Sequence, residues 1–176
     1  MFSIETRGLF RKRHRVLADS TLGAKEFQEI LRSLGTAPIK ARKTGFVAAR
    51  LAARREPVAT RWNGEESSDT AEPGDWIVTN LDPNRGMLRD SAAHANTYVI
   101  RAERFHELYE PADGANEFGA IYRAKERVEA LYLSGGFAIL APWGEMQRAS
   151  EGYLLHNGAE VYGNNKETFE ATYEVE

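Results

Sequence analysis

At 176 residues the chain can build one ordinary domain or two small ones around a shared core. Hydrophobic residues at 42% and charged residues at 28% exclude disordered and membrane-spanning compositions, and the lack of cysteine excludes disulfides, thiol nucleophiles and cysteine-ligated metals. The net charge of −3 conceals a division: residues 1–61 carry 14 Lys and Arg against 5 Asp and Glu, and the remainder carries 9 against 21.

Met1-Phe2-Ser3-Ile4 leads into the basic stretch Arg11-Lys12-Arg13-His14-Arg15 without an apolar run of signal-peptide length. No later stretch approaches the ~18 apolar residues of a membrane span, so a cytoplasmic protein with no membrane partner is expected. The basic arm suits nucleic acid, and equally an acidic surface on the same chain or on a second copy in a homo-oligomer. Asp19-Ser20-Thr21-Leu22 to Leu34-Gly35 reads as a helix, with Asp19 or Ser20 accepting the first free amides and Gly35 taking the left-handed position at its end. Phe27, Ile30, Leu31 and Leu34 fall on one face; their burial is worth roughly 6–10 kcal/mol before entropy. Pro38 marks the exit.

From here the signals occur twice. Val47-Ala48-Ala49 and Trp62 lie 81 positions before Val128-Glu129-Ala130 and Trp143, and Pro57 to Arg61 falls on Ala138 to Pro142 at the same offset. The tryptophans lead into Gly64-Glu65 and Gly144-Glu145, then a turn and an apolar strand, Pro73-Gly74-Asp75-Trp76-Ile77-Val78 and Ser150-Glu151-Gly152-Tyr153-Leu154-Leu155. The offset falls to 77 between Trp76 and Tyr153, and to 64 for Tyr98 and Tyr162, Phe105 and Phe169, Tyr109 and Tyr173. Such a pattern predicts duplication with longer loops in the first copy. Asn157-Gly158 predicts a hairpin turn, whereas the matching Thr79 to Thr97 is long, with Pro83, Gly86 and His94 in it. Phe105 with Tyr109, and Phe169 with Tyr173, share helix faces over Ala102–Tyr109 and Lys166–Tyr173 and are expected to staple each helix to its sheet. The expected fold is α+β: two tandem strand-rich repeats, each an antiparallel sheet with a short C-terminal helix, preceded by an N-terminal helix. Boundaries fall at 1–38 for the basic segment with its helix, 39–111 for the first repeat and 117–176 for the second.

Pro73-Gly74-Asp75-Trp76, followed by Tyr98-Val99-Ile100 and Phe105-His106-Glu107-Leu108-Tyr109-Glu110, resembles the PGDYG domain and related small phage and bacterial proteins. Tyr122-Arg123-Ala124-Lys125 looks like that family's basic opening for the second copy, and Lys40-Ala41-Arg42-Lys43 like a blurred one for the first. Glu151-Gly152-Tyr153 lacks both Pro and Asp, so those residues are not required for whatever both halves do. The resemblance implies a bacterial or phage origin and carries no activity, cofactor or catalytic residue with it.

Candidate chemistry is thin. His14, His94, His106 and His156 show no metal-ligand spacing, and no metal or cofactor is expected. Trp62 with Glu65 and Trp143 with Glu145 offer an aromatic wall and a carboxylate in each half; Asp75 and His94 complete a candidate site for a small polar molecule between the repeats. Asp82, Asp90, Arg85 and Arg89 dress the long loop with both signs of charge. Three readings follow in order: a non-catalytic ligand- or partner-binding protein; a small hydrolase or transferase using the carboxylates of that cleft; and nucleic-acid binding through Arg11, Lys12, Arg13, Arg15, Arg42 and Lys43.

Overall fold

The computed structural model describes residues 1–62 and 65–176, with the backbone alone at Glu65 and Ser67; Gly64 lies outside the described residues, as does the side chain of Glu65. The chain opens with a hairpin of β1 (Phe2–Arg7) and β2 (Arg13–Thr21), then α1 (Ala24–Leu34) and β3 (Ile39–Lys43). Next come β4 (Phe46–Leu51), β5 (Glu56–Trp62), β6 (Glu65–Ala71), β7 (Trp76–Asn80), β8 (Thr97–Ile100), α2 (Ala102–Leu108), β9 (Tyr109–Asn116) and β10 (Gly119–Ala124). The last third holds β11 (Arg127–Leu133), β12 (Phe137–Leu140), β13 (Met146–Ala149), β14 (Gly152–His156), β15 (Val161–Asn165), α3 (Lys166–Thr172) and β16 (Tyr173–Val175). The fold is strand-rich α+β, and among the described residues no helix is long and apolar enough to cross a membrane.

Helix α1 begins later than the sequence suggests, because Asp19, Ser20 and Thr21 continue β2. Strand alternation prevails there: Val16 and Ala18 turn inward while Leu17 and Asp19 turn away, and the strand ends only where Leu22 enters the core. The helix is then capped by Glu26, whose carboxylate accepts the Gly23 N–H at 2.9 Å, and closed by Gly35 at φ 62°.

Two compact units result, Met1–Lys43 with Arg127–Glu176, and Thr44–Glu126. The first holds a five-stranded antiparallel sheet ordered β15-β14-β11-β3-β16 and a four-stranded sheet ordered β1-β2-β12-β13, in which β2 and β12 run parallel. Phe27, Ile30 and Leu31 of α1 pack with Val16, Phe137 and Ile139 from one sheet and Leu131, Leu133 and Leu154 from the other. On the opposite face of the five-stranded sheet, Phe169 and Tyr173 cover Ala41, Val128, Ala130 and Leu155. The second unit holds a sheet ordered β8-β7-β4-β10-β9 and the hairpin β5-β6. Phe105 and Tyr109 cover Val47, Ala49, Val78 and Ala124.

The two five-stranded sheets share a register as well as an order. Arg42 faces Arg127 and Glu174, and Arg123, 81 positions later, faces Phe46 and Glu110. Strand β3 is joined to β4 by a two-residue link yet pairs with β11 and β16; β10 is joined to β11 yet pairs with β4 and β9. The aromatic stacks match too. Trp76 lies on Phe105 at 4.0 Å and Tyr153 on Phe169 at 3.9 Å, with Tyr109 and Tyr173 next in each stack at 5.4 and 5.1 Å. Phe105 and Phe169 are both buried, so these rings form core as expected, but Tyr109 and Tyr173 open β9 and β16 in extended backbone just past the helices instead of sharing a helix face with them.

Candidate functional site

The clearest chemical feature is the outward face of the sheet β1-β2-β12-β13. Period-2 alternation sends Ile4 and Val16 inward and Glu5, Arg7, Arg13, Arg15 and Leu17 outward. Leu17 stands beside Ala138, which faces Arg148 on β13. Arg13, Arg15 and Arg148 have no ion pair among the described residues, and Arg7 reaches only Glu5, at 3.6 Å. Arg7 stands directly across from Arg13, a like-charge pair that opposes folding rather than favouring it. At the β2 end, Arg7, Arg13 and Arg15 border a groove of about 410 Å³ that continues over Ser134, Gly135 and Ser150. At the other end, Met146 is 42% exposed, and Trp143, in the turn joining β12 to β13, is 59% exposed.

Of the sequence-derived cations, Arg13 and Arg15 lie on this face, with Arg11 and Lys12 in the β1–β2 turn. Arg42 and Lys43 belong to β3 of the other sheet, where Arg42 bonds Glu174 at 3.3 Å. Sequence reasoning missed Arg7, Arg148, Ser134 and Ser150. The Arg13-x-Arg15 alternation is the one local hint of a basic strand face; Arg148 and the serines arrive through the β2–β12 pairing, with no local signal.

The candidate small-molecule residues are distributed otherwise. Trp62, Glu65, Asp75 and His94 belong to the unit Thr44–Glu126, and Trp143 and Glu145 to the other. Trp62 ends β5 opposite Glu65, and Glu145 is exposed in the β12–β13 turn, where its carbonyl accepts the Ala141 N–H at 2.7 Å. Asp75 is buried and engaged: its carboxylate accepts the N–H of Glu72 at 2.9 Å, the N–H of Ala102 at 3.1 Å and the Arg101 guanidinium at 3.0 Å, while Arg101 also forks onto Asp69 at 2.8 and 2.9 Å. It clasps the Pro73-Gly74 turn to the start of α2. The Glu72 amide, then those of Ala102 and the Arg101 side chain, hold its carboxyl below the ordinary aspartate value. A lowered folded-state value stabilises above the unfolded pKa of about 3.9 and is lost as the pH falls through the folded one. Urea titrations across that acid range should therefore show Asp75→Asn less stable than wild type near neutrality, with the two curves converging as the pH drops.

In the long loop, Asp82 and Asp90 organise turns. Asp82 accepts the N–H groups of Asn84 and Gly86, both at 2.8 Å; Asp90 accepts those of Ala92 at 3.0 Å and His94 at 2.8 Å, with His94 Nδ1 3.3 Å from its second oxygen. Arg85 and Arg89 donate to the carbonyls of Asp113 and Ala93 at 3.0 and 3.1 Å. His14 lies 3.0 Å from the Thr6 hydroxyl, His106 lies edge-on to Trp76, and His156 is buried beside Phe27, with Glu129 3.6 Å away.

No family model matches the chain, and no curated protein or solved structure matches it.

Proposed function

We propose that this is a non-catalytic binding protein, built from two tandem copies of one unit that have exchanged their first strands, and that it recognises single-stranded nucleic acid on the arginine face of β1-β2-β12-β13. The observation that carries the reading is the set of cations without ion pairs, Arg13, Arg15 and Arg148, on one sheet face that ends at an exposed Trp143. Alternate residues on a strand stand about 6.7 Å apart, a step that suits successive phosphates of an extended strand. Guanidinium forks fit phosphate oxygens bidentately, and an exposed indole offers a base its face.

Duplication rests on the common register of the two five-stranded sheets, with the basic openings Lys40 to Lys43 and Tyr122 to Lys125 as the exchanged strands. The likeness to PGDYG-domain proteins of bacteria and phage belongs to the same proposal. A small-molecule site or a hydrolase built on Asp75 has less support, because that carboxylate already takes three donors.

Fluorescence anisotropy with a single-stranded oligonucleotide tests the reading. Neutralising three phosphates predicts a log–log salt slope of about −2. Charge reversal at Arg13, Arg15 and Arg148 should abolish binding, and Trp143→Ala should weaken it roughly tenfold. No binding at ~50 mM salt would reject the reading, as would a marked preference for duplex or for anionic vesicles.

A further inference from the structure

We propose that the groove between β2 and the Ser134-Gly135-Gly136 turn is a specific site for a phosphate monoester, the terminal phosphate of a nucleic-acid strand or a free nucleotide. The site rests on the arginine-face reading and narrows it from a charged surface to a built pocket.

The backbone sets the pocket's floor. Gly135 donates its N–H to the His14 carbonyl at 2.9 Å, and the Val16 N–H reaches the Gly136 carbonyl at 3.2 Å. A Cβ on Gly135 would stand 2.8 Å from the His14 carbonyl oxygen and 3.3 Å from the Arg15 Cβ, so only glycine lets the turn lie flush against β2. That close approach brings Ser134 to the rim beside Arg15, and Ser150 lines the same groove. Neither serine hydroxyl has a partner among the described residues, so both are available to a ligand.

The charge selects the ligand. Arg7, Arg13 and Arg15 line the groove with Glu5 as the one carboxylate there, leaving two positive charges in excess. A phosphate monoester above its second pKa of about 6 carries close to two negative charges. Its three terminal oxygens can take two guanidinium forks and the hydroxyls together, whereas a planar carboxylate saturates on one fork. The internal phosphodiester of a nucleic-acid chain carries a single charge and offers two free oxygens, so it fits the same donors less well. The opposed Arg7 and Arg13 are relieved of mutual repulsion when the dianion lies between them.

The test uses the full chain and oligonucleotides identical except for a 5′-phosphate or a 5′-hydroxyl, with inorganic phosphate and a nucleoside 5′-monophosphate as competitors. The phosphorylated strand is expected to bind at least about tenfold tighter than its hydroxyl twin. That preference should fade below pH ~6, where the phosphate loses its second charge. Ser134→Ala with Ser150→Ala should reduce the preference, since two of its donors are lost while the arginines remain, and should leave the thermal midpoint in place. Competition by the free nucleotide assigns the pocket to a free monoester as well as to a strand end; its failure to compete assigns it to the strand end alone. Equal binding of the two strands, with no protection from thermal unfolding by phosphate or nucleotide, overturns the pocket but leaves the arginine face standing. Nucleotide binding without oligonucleotide binding does the reverse.

Discussion

Ala41→Glu is expected to unfold the unit made of 1–43 and 127–176 while the unit 44–126 stays folded. Ala41 is 1% exposed, on a strand held between β11 and β16, and it touches the layer formed by Val128, Ala130, Leu155, Phe169 and Tyr173. A carboxylate there is buried among apolar side chains in a filled layer, which costs on the order of 4 kcal/mol or more. A unit of this size has little stability beyond that. Hydrogen exchange read by mass spectrometry should show protection lost across β11, β14, β15 and α3, more than 80 residues downstream of the substitution, and kept across β4, which begins a few residues after it, and across β7 and β8. Ala124→Glu should do the reverse, since Ala124 is buried and packs with Phe105 and Tyr109 from β10, which lies between β4 and β9 in the other sheet. If each repeat folded on its own residues, 39–111 and 117–176, Ala41→Glu would instead strip protection from β4 to β8, and the exchange of strands would be wrong.

Sequence reasoning reached the ladder of signals but not their pairing, for a physical reason. The offsets 81, 77 and 64 are legible because each five-stranded sheet places an aromatic over its face at the same step, and Trp76 on Phe105 and Tyr153 on Phe169 stack in the same way. Which sheet receives Lys40 to Lys43 is not legible, because a short basic strand fits the same register in either five-stranded sheet, and the choice depends on contacts far away in sequence. The opening hairpin was hidden differently. Arg11 to Arg15 reads as a charge run until Val16 and Ala18 are seen to alternate inward between Arg15, Leu17 and Asp19. Of the candidate site, Arg13 and Arg15 could be named from sequence but not given a face, and Arg148, Ser134 and Ser150 depend on a parallel pairing of β2 with β12, a contact no local pattern encodes.

Within the core that holds that pairing against the five-stranded sheet, the Phe137 ring fills a notch, and the notch is the second place where a small change should have a large effect. Phe137 is 1% exposed, and a Cβ at Gly163 would come within 2.3 Å of its ring; at Gly152, on the adjacent strand, within 2.9 Å. The backbone at Gly163 cannot retreat. Gln147 grips it from β13, accepting the Gly163 N–H at 2.7 Å and donating to its carbonyl at 3.2 Å. Gly163→Val must therefore displace the ring, at a cost of about 1–3 kcal/mol or more. Phe137→Ala, which empties the notch, should cost about 3–5 kcal/mol. The informative combination is Gly163→Val with Phe137→Leu: the shorter side chain leaves room for the added methyls, so the double variant should lose less than the sum of the two singles in urea unfolding. Losses that add to within about 0.5 kcal/mol would mean that ring and glycine do not share a packing site. Because Phe137 begins β12, pushing it out also moves Ala138 and, across the hairpin, Arg148. Gly163→Val should thus weaken oligonucleotide binding under conditions where the protein is still folded, although Gly163 carries no group that a nucleic acid could recognise.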